Sequence, residues 1–191
     1  MQSLIEGRLE SGGGAMNVYG IRAARLDEQR ELTRLCVRAT MHAGHDEAFI
    51  DRVMPALTIT VPLINSGHVQ VAEDAGKAIG VVWALPGLQG IALLHGLYVD
   101  PPCWKRGIGR ALFEAAVTST LGMKAGALMI NAEPSAEGFY TRMGAIRIGE
   151  GPFYFSPETI LPQLLYIIPR DREPASTKRQ GNVHFGTWKK G

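Results

Sequence analysis

The chain has 191 residues, of which 46% are hydrophobic and 20% charged, a composition that excludes a largely disordered protein and suffices for a sizeable core. The net charge of +2 argues against a dedicated nucleic-acid-binding protein, which usually carries a strong basic footprint. Two cysteines cannot build a disulfide framework, and the longest apolar run, residues 79–85, is far shorter than the roughly 20 residues of a membrane helix. We therefore expect a cytoplasmic protein without a secretory signal.

The two ends of the chain differ in composition from its middle. Residues 1–15 contain Ile5-Glu6-Gly7-Arg8, which matches a protease site used in expression tags, followed by a glycine-rich stretch. We predict either a tag or a native flexible segment there, and the sequence leaves both open. Residues 170–191 carry six basic and two acidic residues. They predict a basic C-terminal tail that is either solvated or an arm holding an anion or a partner subunit.

Residues 16–169 predict one domain of mixed α/β class. Apolar residues recur at helical spacing in several segments and form short strand-like runs in others. In chain order we predict a strand at 18–23, helices at 26–39 and 47–54 (the second ended by Pro55), strands at 69–72, 79–85 and 91–99, a helix at 106–120, a strand at 127–130, a helix at 136–143, and strands at 145–148 and 161–168. This order is typical of a mixed sheet with helices on both faces.

The segment from Leu97 to Leu112 carries the clearest chemical signal. A strand ends at Val99, two prolines force an extended exit, and a basic turn containing Gly107 and Gly109 leads directly into a helix. The free N–H groups and the dipole at a helix N-terminus attract anions, and glycine lets a phosphate approach the backbone. The segment therefore predicts an anion site, or else a strand–loop–helix turn whose glycines serve packing alone.

Two nucleotide-binding motifs do not fit this segment. A dinucleotide fingerprint requires a third glycine where this chain has Ala111 or Leu112, and it belongs to a first β-α unit rather than to the middle of a chain. The phosphate loop of nucleotide hydrolases requires a Gly-Lys-Ser or Gly-Lys-Thr ending that is absent here.

The segment instead resembles the acyl-CoA motif of the GNAT superfamily of N-acyltransferases, V-x-P followed by R/Q-x-x-G-x-G/A. Val99, Pro101, Gly107 and Gly109 stand at the family spacing. A second signature, F-Y-x-x-x-G-F, is similar to residues 139–145. The resemblance covers about residues 17–168 and implies a GNAT-like, mostly antiparallel mixed sheet and an acetyl-CoA-dependent N-acetyltransferase.

The sequence departs from both motifs. Trp104 replaces the usual Arg or Gln beside the pyrophosphate, and Ala145 replaces the final Phe. Because backbone amides supply most of the family's pyrophosphate contacts, the fold and the co-substrate expectations stand. The affinity for acetyl-CoA stays open.

The resemblance also implies a set of co-substrate contacts. The pantetheine arm would pair with the backbone at Leu97, Tyr98 and Val99, where this strand and strand 127–131 separate. Asn131 would bond the arm or, alternatively, cap the next turn. The remaining expected contacts surround the pyrophosphate and are Trp104, Lys105, Arg106, Gly107, Ile108, Gly109 and Arg110.

The resemblance suggests two catalytic residues. Tyr140 matches the tyrosine that protonates the departing sulfur in the family, with a packed helix tyrosine as the alternative. His95 lies in Leu94-His95-Gly96-Leu97, similar to the L-H-A-L of arylalkylamine N-acetyltransferases, where the histidine assists amine deprotonation through water. Strand alternation gives His95 the same face as Leu97 and Val99, and a packed core histidine is the alternative.

Two further clusters are weaker signals. Residues 42–47 hold two histidines and two carboxylates without a zinc-type spacing, so we predict no metal site and expect a solvated loop. By resemblance this region lines the acceptor pocket, where His45, Asp46 or Phe49 would meet substrate. The aromatics Phe153-Tyr154-Phe155 favour core or dimer packing over ligand stacking.

These observations predict an enzyme that moves an acetyl group from acetyl-CoA to a primary amine of a small molecule or peptide. The alternative from a different class is a non-catalytic acyl-CoA-binding sensor or interaction domain on the same fold. Expected partners include no nucleic acid and no membrane, and a homodimer is a candidate assembly. The charge of −2 outside the tail slightly favours a cationic acceptor, whose identity the sequence leaves open.

Overall fold

The computed structural model describes residues 19–153 and 156–169. The predicted N-terminal segment and basic tail lie outside the described residues, as do Val18, Tyr154 and Phe155. The elements are β1 (Gly20–Ala23), α1 (Gln29–His42), α2 (Glu47–Leu57), α3 (Val61–Asn65), β2 (Val69–Asp74), β3 (Lys77–Pro86), β4 (Ile91–Val99), α4 (Ile108–Gly122), β5 (Ala127–Asn131), α5 (Glu137–Arg142), β6 (Ile146–Phe153) and β7 (Ser156–Ile167).

The described strands form one seven-stranded sheet in the order β1-β2-β3-β4-β5-β7-β6. Its pairs are antiparallel except β4 with β5, which are parallel and connected through α4. A parallel pair needs such a crossover, whereas antiparallel neighbours can be joined by short turns. The predicted mixed, mostly antiparallel sheet is confirmed.

Apolar residues are buried on both faces of the sheet. On one face, Leu112 and Phe113 of α4 pack with Leu128 of β5 and other strand residues. On the other, Leu32 and Leu35 of α1 pack with residues of α2, α3, β2 and β3. The predicted helices on both faces are therefore confirmed, and each face has its own apolar core.

The second helix continues past the proline that we expected to end it. Pro55 lies inside α2, which ends at Leu57. Ile50, Val53 and Leu57 are all buried at helical spacing, so their packing offsets the hydrogen bond that proline removes. Local propensity predicted this end wrongly because the buried stripe extends beyond the proline.

The last two strands are also longer than predicted. The predicted strands ended at Ile148 and began at Leu161, whereas β6 continues to Phe153 and β7 begins at Ser156. Pro152 is tolerated because β6 is an edge strand of the sheet. Phe153 therefore belongs to a strand and not to a loop.

The sheet opens between β4 and β5. Their pairing covers residues 91–94 of β4 and ends at Leu94 opposite Ile130. Beyond that point β4 stays paired with β3, while Asn131 of β5 pairs with Gln163 of β7. The β4 backbone from residue 95 to 99 thus has no strand partner on that side within the described part of the chain.

A β-bulge bends β4 where the two strands separate. Leu94 pairs with Ala84 and Gly96 with Trp83, so His95 is the additional residue. The Trp83 ring lies against Gly96, where a Cβ would come within 2.4 Å of a ring carbon. Because β-bulges re-aim side chains, strand alternation alone does not fix the direction of the His95 side chain.

Candidate active site

A cavity of about 810 Å³ occupies the opening between β4 and β5. Its lining residues form two groups, which are named the cofactor half and the acceptor half after the ligands that the resemblance implies. The cofactor half is lined by Leu97, Val99, Cys103, Trp104, Lys105, Gly107, Ile108, Gly109, Arg110, Asn131, Ser135, Ala136, Phe139 and Arg142. The acceptor half includes His45, Phe49, Val53, Ala56, Leu57, His95, Tyr98, Glu133, Phe153, Thr159 and Leu161.

The cofactor half is built around the start of α4. Lys105 and Gly107 both have left-handed backbone conformations, with φ of 63° and 82°, and α4 begins immediately afterwards at Ile108. Turns of this kind can direct successive N–H groups to one side and form a concavity that binds anions. Gly109 lies close to Phe139, since a Cβ at residue 109 would lie 3.5 Å from the Phe139 ring.

Two ion pairs anchor the loop before α4 to the rest of the domain. The buried Asp100 accepts two hydrogen bonds of 3.2 Å from Arg38 of α1. Arg106 donates to Asp74 of the β2–β3 hairpin at 2.9 Å. Arg106, which we predicted as a co-substrate contact, does not line the cavity, because its guanidinium is directed to the hairpin.

Trp104, at the position that departs from the motif, folds back onto β4. Its indole N–H donates to the Val99 carbonyl at 2.8 Å, and its ring meets His42 of α1 edge-on at 4.8 Å. The side chain is 43% exposed. Trp104 therefore bridges the end of α1 and β4 along one side of the cavity.

His95 lines the cavity together with Leu97 and Val99. Burial lowers the pKa of its imidazole below the usual 6.5, because a buried site disfavours the charged form. His95 is consequently neutral at pH 7 and has a free ring nitrogen that can accept a proton.

The two candidate tyrosines are placed differently. Tyr140 is only 8% exposed, packs against Phe113 and Phe139, and does not itself line the cavity. Tyr98 does line it, and its ring stacks on Trp83 at 5.9 Å. Burial raises the pKa of both phenols, so both hold their protons at neutral pH and both can donate one.

The acceptor half brings together residues distant in sequence. The His45 ring stacks on Phe49 at 3.9 Å, and its Nε2 lies 3.2 Å from Oε1 of Glu133, which follows β5. Asp46, predicted to meet substrate, instead caps α2 by accepting a 2.8 Å hydrogen bond from the Phe49 N–H. Of the three residues suggested for this region, His45 and Phe49 line the cavity.

Comparisons with known proteins agree with this geometry. Residues 65–144 match the family model described as the acetyltransferase (GNAT) domain. The chain therefore contains a match to a GNAT acetyltransferase domain. No curated protein sequence matches this chain significantly.

Solved structures share the GNAT fold at low sequence identity. A putative acetyltransferase of the GNAT family from Desulfovibrio desulfuricans has 16% identity and a TM-score of 0.63, with 80% of this chain and 100% of that chain covered. The PaiA N-acetyltransferase from Thermoplasma acidophilum, crystallised with coenzyme A, has 13% identity and a TM-score of 0.60, covering 78% and 98%. The ribosomal-protein-S18-alanine N-acetyltransferase from Escherichia coli has 16% identity and a TM-score of 0.55, covering 80% and 94%.

Sequence reasoning missed several residues of the candidate site. Arg142 lies inside the second motif, yet only the structure shows that it lines the cavity beside Phe139. Asp100 and Glu133 could not be assigned from the sequence, because their contacts are with Arg38 and His45, which are remote in sequence. The one available hint for Glu133 was an acidic residue three positions after the end of a predicted strand.

Neither a metal site nor a membrane-spanning helix is found among the described residues. No group of three or more His, Cys, Asp or Glu side chains is placed there to hold a metal ion. Within that part of the chain, no helix combines the length and apolar character needed to span a bilayer.

Proposed function

We propose that this protein transfers an acetyl group from acetyl-CoA to a primary amine by direct attack of the amine on the thioester. The observation that carries the proposal is the opening of the sheet at Leu94 and Ile130, with the start of α4 beside it. The opening leaves the backbone of residues 95–99 facing the cavity, where an extended amide-containing arm can pair with it like an added strand.

The chemistry of the cofactor half fits coenzyme A. Lys105, Arg110 and Arg142 line it and supply positive charge for phosphates, while the backbone from Gly107 onward supplies N–H donors. The arm would run past Val99 and Asn131. Relatives of the same fold have been crystallised with coenzyme A, which supports the same ligand class here.

The attacking amine must first lose a proton. An alkylammonium group titrates near 10.4 in water and has no lone pair for attack. The neutral imidazole of His95 accepts that proton directly or through one water molecule. The amine nitrogen then forms the C–N bond, the carbonyl oxygen carries transient negative charge, and the C–S bond breaks on collapse.

The departing thiolate needs a proton, which we assign to the Tyr140 phenol. The phenol packs beside Phe139, which lines the cavity, but Tyr140 itself does not line it, so Tyr98, which does, is the second candidate donor. Burial keeps the Tyr140 phenol protonated, as a general acid requires. The products are an N-acetylated amine and CoA thiol; the ammonium proton passes from His95 to solvent, and the second proton that the nitrogen loses on forming the amide returns to Tyr140.

Two measurements test the proposal together. Calorimetry should show acetyl-CoA binding to the full-length chain, and a panel of amines should release free CoA thiol with one acetylated amine formed per thiol. Binding without thiol release for any acceptor would favour the non-catalytic acyl-CoA-binding alternative. Absence of binding would overturn both functions.

A further inference from the structure

The acceptor half of the cavity contains a single carboxylate. Glu133 is the only acidic residue among the described residues that line the cavity. Its side chain is 40% exposed, and the 3.2 Å contact with His45 fixes one of its oxygens. The carboxylate is therefore oriented by a neighbour while keeping accessible surface for a second hydrogen-bond partner.

Glu133 also lies near the reacting end of the cavity. It follows β5 by two residues, next to the point where β4 and β5 separate. Glu133 and Tyr98 both line the cavity. Tyr98 in turn lies three residues beyond His95 on β4.

The rest of the acceptor half is mainly apolar. Phe49, Val53, Ala56 and Leu57 present one side of α2 to the cavity, and Leu161 of β7 lines it as well. The lysine and the arginines of the lining belong to the cofactor half. Apart from the two histidines, Tyr98 and Thr159, a second charge on the acceptor would meet apolar groups there and lose hydration.

We infer that the acceptor is a small monoamine with an apolar body, its ammonium group held by Glu133 and its body packed against α2. This inference rests on the proposed function and specifies its substrate. His45 is a positioning residue that holds the carboxylate. Bound ammonium would lie beside the bulge that carries His95, ready to pass on its proton.

Pairs of acceptors that differ in one group test whether the substrate has an apolar body. With acetyl-CoA, 2-phenylethylamine should exceed ethylamine in kcat/KM by at least tenfold, because the ring packs against α2. Phenylalanine, which adds a carboxylate, should be at least tenfold poorer than 2-phenylethylamine. Pentylamine should likewise exceed 1,5-diaminopentane, which adds only a distal ammonium group.

A matched pair of variants tests the ammonium contact. Glu133→Gln keeps the shape of the side chain but removes its charge, and should raise KM for 2-phenylethylamine about tenfold while KM for acetyl-CoA changes less than twofold. Glu137→Gln, on α5 and paired with Arg147 outside the cavity, should behave like the parent protein.

The outcomes distinguish a failure of the inferred acceptor from a failure of the proposed acetyl transfer. Equal or better turnover of phenylalanine, of the diamine or of a short peptide would overturn the inference while leaving acetyl transfer intact, as would an unchanged KM in Glu133→Gln. Absence of thiol release with every acceptor class would overturn the proposed function and this inference with it.

Discussion

The two halves of the cavity are assembled in different ways. The cofactor half comes largely from one continuous stretch, the end of β4 and the turn into α4, with additions from the region of α5. The acceptor half takes residues from the α1–α2 connection, α2, β4, the segment after β5, β6 and β7. The shape of the cofactor half depends mainly on backbone geometry, whereas that of the acceptor half depends mainly on side chains.

We expect this difference to make the cofactor half more tolerant of substitution than the acceptor half. Backbone N–H groups at a helix start persist whatever side chain accompanies them, so Trp104 in place of Arg or Gln is compatible with the proposed anion site. An acceptor pocket has no such constant part, because each lining side chain sets shape and charge directly. The following experiments probe the cofactor half, the acceptor half and the residues packed behind them.

The largest effect is expected at Tyr140, which packs beside Phe139 of the cofactor half. Tyr140→Phe removes only the hydroxyl and should lower kcat by about 10²–10⁴-fold, the usual contribution of a general acid, with acetyl-CoA affinity unchanged. Steady-state kinetics and calorimetry measure the two quantities. Tyr166→Phe, in the same core but outside the cavity, is the matched control. A loss under about threefold at Tyr140 would make it structural and direct attention to Tyr98→Phe.

The next largest effect is expected from an acidic substitution in the cofactor half. Gly109→Glu adds a carboxylate in the first turn of α4, where phosphates are expected, and should weaken acetyl-CoA binding by about 100-fold through repulsion and lost access to the amides. Gly109 avoids the strain of the left-handed Gly107. Gly149→Glu, placed in open space on β6, should bind normally. Near-parental affinity in a folded Gly109→Glu protein would remove the anion site from this turn.

A third experiment tests whether the bulge that carries His95 depends on packing behind it. In Gly96→Ala the new Cβ meets the buried Trp83 ring, so we expect a loss of about 1–3 kcal/mol of unfolding free energy. Denaturant titration measures the loss. Gly149→Ala, with no atom near its new Cβ, serves as control. Adding Trp83→Phe should recover part of the loss, and equal stability of Gly96→Ala and the parent would contradict the overpacking.

The pH dependence of the reaction tests His95 in the acceptor half. Because burial lowers its pKa, His95 stays neutral down to a pH below 6.5 and becomes protonated only under more acidic conditions. At saturating amine, kcat should therefore fall as pH drops through that lowered pKa. His95→Gln should lower kcat about tenfold or more and flatten the acidic limb of the pH profile. His68→Gln, outside the cavity, should keep the parental kcat and the parental acidic limb. An unaltered profile in His95→Gln would assign the proton to water.

The smallest effect is expected from a single cation of the cofactor half. Arg142→Gln should weaken acetyl-CoA binding by about three- to tenfold at low ionic strength, because one phosphate attraction is lost. The difference from the parent should shrink at high salt, where exposed charges are screened. Arg147→Gln, whose partners lie outside the cavity, should show no such salt-dependent difference in calorimetry.

The sequence by itself determined the sheet class, the strand–turn–helix segment from β4 into α4 and most of the residues that line the cofactor half. These are local properties, since strand–turn–helix order and glycine spacing act within about a dozen residues. Tertiary structure decided the continuation of α2 through Pro55, the bulge at His95 and the diversion of Arg106 to Asp74. It also decided the pairing of Glu133 with His45, residues 88 positions apart in the chain. Such contacts depend on how separate elements pack, and the packing of each element depends on apolar surface supplied by the others, so no local pattern encodes them.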